Sequence, residues 1–579
     1  MYNFKYKDCD PNETISLCKN IISSFNFDIK EDVTKISNNL YSVNLMDTIS
    51  GMDSNGKGVT EDYALASGYA EFLERIQNAL FVKGWNNDYG KFEYYPDEYQ
   101  DTAQKILENQ DIIKDIEMLF VVSNNRYPYN IEELISFLKI LNNNEDYYKF
   151  ADFYSINKKT TVGLPINILK NTVYTTGMCA GNSREEAIAQ GLFEICERWV
   201  NFYCWSNNLT PPEVPRNYIQ NNFPDQYEEI LEIENLNPNT RIYVYDYSLG
   251  KDIKLPVVAI LYVDQKLQRF RMQFGSHIRF DIALERCLTE LVQGYDCTNE
   301  VKNINNLTTI DWELSSSWES RENKHRTLDF SIGKIPFYLF TSSPSWNFYP
   351  WEEIDNYSSK ESFKIIRDRI LNISTDIYVR DNSYLGFNSY YIYVPSMSML
   401  PIDKINYFSN IRDFDYDVNN FPDSYLSMTD EDKKIFCLNL INNMDSYTDC
   451  DYRIKDPDFL FKIAVLIEQG FLEEAYNFRI FFPKYSKYEI IFEDIRLSLL
   501  GFDLEQRRRC LQKMFDKECF SYWDELFSYR NNLVSKLSYY NYKEIHYEDT
   551  YCPKNPLNLV KDAFTKKVID QNSLSVLGE

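Results

Sequence analysis

A short block occurs twice in this chain and aligns without a gap, from Gly58 to Arg75 (GVTEDYALASGYAEFLER) and from Gly181 to Arg198 (GNSREEAIAQGLFEICER). Both copies read Gly-x-Thr/Ser, then Ala-x-Ala-x-Gly-x-x-Glu-x-x-Glu-Arg. A weaker third copy begins at Ala283 (ALERCLTELVQG). There Arg286 falls where Ser67 and Gln190 sit, Glu290 matches Glu71 and Glu194, and Gln293 matches Glu74 and Glu197. A repeat with fixed small residues and fixed acids constrains the fold strongly, because every copy must present the same face to its neighbours.

Each copy opens with a helix-entry signal. Thr60 and Ser183 can cap a following helix, and Asp62 and Glu186 suit its positive end. On that helix Ser67, Glu71 and Glu74 share one face, and Gln190, Glu194 and Glu197 do the same. Ala and Gly thin the adjoining surface, so another helix or a ligand can approach closely. Glutamates one turn apart repel when buried together, and one of them takes up a proton. A divalent cation removes the conflict, and Mg²⁺ takes one or two carboxylates with water and phosphate oxygens. An arginine follows each pair and could reach a phosphate. A single E-x-x-E-R is ordinarily a solvated face, but a solvated face has no reason to repeat a Gly-Ala approach surface beneath its acids. A shared acidic, metal-dependent site is the reading that explains the repetition.

At 579 residues the chain is expected to form two or three domains. A net charge of −26 disfavours nonspecific nucleic-acid binding, which needs a basic surface. It suits a basic protein partner, and it suits plain solubility equally. The start, MYNFKYKDCD, has no apolar signal core, and no apolar run reaches membrane-spanning length. A cytoplasmic location is expected, with the 12 cysteines reduced, since none forms C-x-x-C. Cys179 and Cys196, inside the second copy, read as small buried residues. The 3 histidines, His277, His325 and His546, lie far apart and do not suggest a histidine metal centre. His277, just ahead of the third copy, is the one to watch.

The pattern predicts a helix around Thr14–Phe25, a strand near Leu40–Asn44 and the first repeat helix over about 60–84. A strand near Leu119–Ser123 and a helix near Ile131–Leu141 follow. The second repeat helix is expected over 183–206, strands at Arg241–Tyr245 and Pro256–Val263, the third repeat helix over about 280–296, and a strand at Tyr390–Val394. This is an α+β core over residues 1–412, with a sheet supporting the repeat helices. A polar, acidic linker over 413–428 leads to an all-α, tetratricopeptide-like domain over 429–579. Thr429 opens it, and FLFKIAVLIEQGFLEEAYNFRIFF from Phe459 reads as two helices about Gly470. The tail DQNSLSVLGE reads as loose. GMDSNGKG over 51–58 has glycines and Lys57 but neither the spacing nor the hydroxyl of a Walker phosphate loop, and no G-x-G-x-x-G follows a strand.

These residues resemble the YcaO family. GKGVTEDYALASGYAEFLER, GMCAGNSREEAIAQGLFEICERW, DYSLG at 246–250, FGSHIRFDIALERCLTELVQG and the stretch through VPSMS at 394–398 all look like family core segments. The resemblance implies ATP and Mg²⁺ in a helix-borne acidic site formed by Ser67, Glu71, Glu74, Asn182, Glu186, Gln190, Glu194, Glu197, Arg198, Arg286 and Glu290. It also implies that Lys7 and Thr14 join the nucleotide site, with Thr14 in place of the family's serine. Glu71, Glu74, Glu194 and Glu197 would hold the metal, and Lys7 and the arginines would meet phosphates. Many members activate a peptide amide: a nucleophile adds, ATP phosphorylates the oxyanion, and phosphate leaves, giving azolines, thioamides or amidines. Azoline-forming members end in a proline-rich tail, whereas this chain ends Ser-Val-Leu-Gly-Glu, which argues against cyclodehydration. A helical region after the core points to the branch that assists β-methylthiolation of ribosomal protein S12 as accessory to a methylthiotransferase.

Two other functions stay open at this level. One is a stand-alone YcaO enzyme making a thioamide or amidine in a peptide product. The other is an ATP-sensing helical adaptor for a partner enzyme, without chemistry of its own. Phe481 and Phe482 would suit a homodimer through the C-terminal region, or equally a core.

Overall fold

The computed structural model describes residues 7–48, 52–78, most of 97–291, 310–311, 343–351, 358–400, short helical stretches between 433 and 524, residue 563, and 569–578. The expected linker over 413–428, the helix opening at Thr429, Gln293, His325, His546, Phe481 and Phe482 lie outside the described residues.

Asp10 caps the first helix, α1 (Pro11–Ser24), through its side chain and Asn12 N. An antiparallel meander follows: β1 (Ile29–Ser37), β2 (Leu40–Asp47) and β3 (Asp53–Gly58). It leads directly into α2 (Glu61–Gln77), whose N-cap is Thr60 as the sequence predicts. β4 (Tyr99–Asp101) precedes α3 (Gln110–Asn124) and α4 (Ile131–Leu141). Then come β5 (Tyr148–Ser155), β6 (Thr160–Pro165), β7 (Met178–Gly181) and α5 (Arg184–Ser206). A second antiparallel sheet contains β8 (Thr240–Asp246), β9 (Val257–Asp264), β10 (Arg269–Ser276) and β11 (Ile310–Asp311), with α6 (Phe280–Glu290) following β10. After α7 (Ser359–Leu371), β12 (Tyr378–Asp381) and β13 (Asn388–Tyr393) complete a third sheet, ordered β4-β5-β12-β13-β7 with β6 on β5. The core is mixed helix and sheet, as the sequence indicates.

Each repeat is a strand that turns into a helix lying back on it: β3 into α2, β7 into α5, and β10 into α6. Glycines permit the approach. A Cβ on Gly56 would stand 2.0 Å from Ala64 O, and one on Gly58 would stand 2.6 Å from Ala64 N. One on Gly181 would stand 3.0 Å from Ala187 N, and one on Gly275 would stand 2.2 Å from Ala283 O. Ala64, Ala187 and Ala283 are the same position of the repeat, and all three are buried. The small residues of the motif are thus the seams between strand and helix, and the acids follow them along the same side of each helix, half-buried.

The expected strand at Leu119–Ser123 is instead the end of α3. Ile112, Ile116, Leu119 and Phe120 are buried at helical spacing, and Phe120 meets Phe137 of α4 edge-on at 5.2 Å. The short apolar run looked like a strand only when its preceding turns were left out. The tail is not loose either. Gln571–Gly578 forms a 3-10 helix with Leu574 and Leu577 in the main core. Gln571 holds the backbone of Asp381 through two hydrogen bonds, of 2.7 and 3.1 Å. Residues 556–579 therefore group with the compact unit that contains 93–405, while 80–92 and 406–555 form a second unit. In that second unit, helices at Pro457–Glu468 and Leu472–Asn477 flank Gly470, whose φ of +84° allows the turn, and helices at Glu489–Leu499 and Leu504–Met514 follow.

Gly56→Ala should cost about 3 kcal/mol of stability, because the added methyl meets backbone atoms that have no rotamer to leave by. Urea unfolding of the variant beside the parent checks this. An unchanged midpoint would show that β3 can lift off α2.

Candidate functional site

Four side chains of α5 form one stripe along the helix. Glu186, Gln190, Glu194 and Glu197 span about 16 Å at 1.5 Å per residue. The other elements meet this stripe at successive levels.

At its N-terminal level, Lys7 Nζ donates to Glu186 at 3.2 Å, and Asp8 N donates to the other oxygen at 2.9 Å. Thr14 Oγ1 of α1 donates to Asn182 Oδ1 at 2.7 Å, and Asn182 Nδ2 reaches Glu186 at 3.3 Å. Asn388 Nδ2 of β13 holds Asn182 O at 2.9 Å. The two N-terminal residues implied by the resemblance are therefore brought to the second repeat, and the threonine hydroxyl is used.

At the middle level, Arg286 of α6 donates to Gln190 Oε1 at 2.6 Å. Its Nε is buried and has no hydrogen-bond acceptor among the described residues. A buried guanidinium N–H without an acceptor is costly unless a ligand supplies one. His277 lies beside it, with its ring 5.0 Å from that of Phe193. Burial pushes its pKa well down, and the cations Arg286, Arg279 and Lys7 push it further. Nδ1 accepts from Arg279 N at 3.1 Å, so the neutral ring carries its proton on Nε2.

At the C-terminal level the acids gather. Arg75 binds Glu71 at 3.1 Å and Glu74 at 3.2 Å, and Arg198 binds Glu194 at 3.2 Å. Arg198 also donates to Thr176 at 2.9 Å. Burial pushes the Glu74 carboxyl up to about 8, with Arg75 opposing and Glu71 and Glu194 adding to the rise. Burial raises Glu197 too, against Arg286 and with Glu194. Ser67 lies half-buried on the same face of α2.

Sequence reasoning missed Lys57. It treated GMDSNGKG as a failed phosphate loop. The segment is instead β3, and Lys57 pairs with Glu290 of α6. Burial and Arg286 lower its pKa to about 8, while Glu197, Glu71 and Glu194 oppose the drop. Glycines alternating about a lysine, in a segment also fit for a strand, were the available signal. Asn388 and Thr176 carried no signal, because only the fold brings them near.

The candidate metal ligands are all carboxylate oxygens, the donor type that Mg²⁺ prefers. Among the described residues no three such groups stand ready to hold an ion. The glutamates are turned to the chain's own cations instead. The donor chemistry and the unmet Arg286 N–H fit a metal–nucleotide.

Residues 55–398, more than half of the chain, match the YcaO family, described as YcaO cyclodehydratase, ATP- and Mg²⁺-binding. The chain belongs to the YcaO family. Its cofactors are ATP and Mg²⁺. It is 29% identical over 406 residues to the ribosomal protein S12 methylthiotransferase accessory factor YcaO of Escherichia coli, covering 68% of this chain and 65% of that protein, just under two thirds of its length. It is 27% identical over 433 residues to an uncharacterized protein of Haemophilus influenzae, covering 71% of this chain and 68% of that one. Among solved structures it resembles YcaO from Methanopyrus kandleri bound with AMPPCP and Mg²⁺ (TM-score 0.43, 13% identity, 69% and 94% coverage). It also resembles a heterocyclase in complex with substrate and cofactor (TM-score 0.44, 17% identity, 68% and 53% coverage). No described helix is long and apolar enough to cross a membrane.

The Glu74 carboxyl carries a raised pKa in the folded chain. Its stabilising contribution is complete below the unfolded value and is lost as pH rises through about 8. Between about pH 5 and about pH 9 the metal-free parent should lose on the order of 2 kcal/mol more than Glu74→Gln. Thermal unfolding in chelator across that range measures the difference; parallel profiles would contradict the assignment.

Proposed function

We propose that this chain is an Mg·ATP-dependent enzyme that activates an amide of a peptide or protein, of the type that assists methylthiolation of ribosomal protein S12. The observation that carries the reading is the buried Arg286 Nε, without an acceptor among the described residues, set at the middle of a stripe with acids at both ends. In this reading Lys7, Thr14, Asn182, Glu186 and Gln190 bind the nucleotide, with Ser67 and Glu290. Arg198 and Arg286 hold phosphate oxygens, and Glu71, Glu74, Glu194 and Glu197 hold Mg²⁺. Bound Mg·ATP supplies the phosphoryl group that makes an amide oxygen a leaving group. The chain's part is to position the reactants and to balance developing charge. The core lies within residues 1–412 together with the docked tail, and the helix pairs after it form a tetratricopeptide-like surface for a partner. The name of the E. coli relative supports a methylthiotransferase and ribosomal protein S12 as partners.

Arg286→Met should weaken Mg·ATP binding at least about tenfold with the circular-dichroism spectrum unchanged, since a charged hydrogen-bond partner is lost. Parent-like affinity would remove Arg286 from the site. The S12 assignment is tested by expressing the chain in E. coli cells that lack their own YcaO and reading S12 methylthiolation by mass spectrometry. Restoration is the expected result. No restoration by a protein that binds Mg·ATP would transfer the reading to a thioamide- or amidine-forming enzyme.

A further inference from the structure

Lys57 stands where the three repeats meet, and its route there is set by the backbone. Gly56 and Gly58 seat one face of β3 on α2. Strand side chains alternate, so Lys57 leaves from the other face. It pairs with Glu290 of α6 and feels Glu71 of α2 and both Glu194 and Glu197 of α5. The arginine pairs are different in kind. Arg75 closes on Glu71 and Glu74 of its own helix, and Arg198 closes on Glu194 of its own helix. Their ion pairs stay within one helix, although Arg75 also feels Glu194 of α5 and Arg198 feels Glu74 of α2. Lys57 starts on the strand of the first repeat and ends on the helix of the third.

We propose that Lys57 is the resident counter-cation of the acidic site, holding the three helices together before Mg²⁺ binds and yielding the carboxylates to the metal when it does. The proposal rests on the Mg·ATP reading above. A lysine suits the task better than an arginine. Its ammonium is a compact point charge on a flexible stem, so it can occupy the space of an ion and withdraw from it. Like-charged carboxylates gathered on a half-buried face need a cation or a proton, and the raised pKa of Glu74 and Glu197 shows that the arginines meet the need only in part. A side chain that supplies one keeps the site assembled when metal is absent. It also makes Mg²⁺ alone a poor ligand, because the ion must displace an ammonium already in place. With Mg·ATP the ammonium of Lys57 would have a phosphate to pair with instead, which would offset that cost.

The test compares the nucleotide-free parent, Lys57→Met and Lys57→Arg by thermal unfolding in chelator and across a Mg²⁺ titration. Lys57→Met should melt below the parent in chelator, and its midpoint should rise with Mg²⁺ at concentrations about tenfold lower or more than any response of the parent, the scale of one unit charge at close range. Lys57→Arg, which keeps the charge, should respond like the parent. A Lys57→Met protein that folds only in Mg²⁺ meets the proposal. One that responds to Mg²⁺ no more than the parent overturns it, and so does one that fails to fold with or without the metal. These readings use no nucleotide. A parent that did not bind Mg·ATP would therefore sink the functional reading without deciding this one.

Discussion

The site depends on one electrostatic problem, the gathering of carboxylates from three helices on a face that water only partly reaches. Glycine and alanine create the problem. The seams at Gly56, Gly58, Gly181 and Gly275 press each strand into its own helix. The same compactness lets α5 serve as the common wall, with α2 and α6 bringing their acids to it. The answer in the resting chain is a set of internal cations: Arg75 and Arg198 on the helices themselves, Lys57 from the adjoining strand, and Lys7 at the far end.

Position along α5 also separates tasks. At the level of Glu186 the carboxylate accepts from Asn182, Asp8 N and Lys7, and Thr14 donates to Asn182, a setting for polar recognition. The level of Glu194 and Glu197 is built from ion pairs, a setting for a metal. Arg286 and the neutral His277 lie between them. The stripe thus carries one carboxylate with polar neighbours at its first end, N–H donors in the middle and several carboxylates at its far end. Helix spacing puts positions 186, 190, 194 and 197 on one side, and the other elements bring Lys7, Thr14, Arg286 and His277 to it.

Much of this was legible in the residues. The repeat revealed the three helices and the shared acidic face, because Gly-Ala seams and i, i+4, i+7 acids are local patterns. The cap at Thr60 and the helix at Ile131–Leu141 follow from local rules as well, whereas the first helix starts at Pro11, capped by Asp10, ahead of the expected Thr14. Lys57 was not legible, because whether a lysine beside glycines is a phosphate loop or a strand residue depends on what packs against it. The strand expected at Leu119–Ser123 failed for the opposite reason, a window too short to show the period of α3. The tail failed because its two leucines, Leu574 and Leu577, are spaced for a 3-10 turn and gain their burial from distant strands. The roles of Lys7 and Thr14 are implied by likeness to a family and not by spacing; the structure brings Lys7 to Glu186 of α5 and Thr14 to Asn182 in the turn before it.

The most direct test of the account is a calorimetric titration of ATP into the intact protein, once with Mg²⁺ and once with chelator. The account requires binding in the first case and its loss in the second, because the acids repel a polyphosphate that arrives without its metal. Equal binding in chelator would show that the glutamates are not a metal site. Absence of binding in both would separate the acidic stripe from nucleotide altogether.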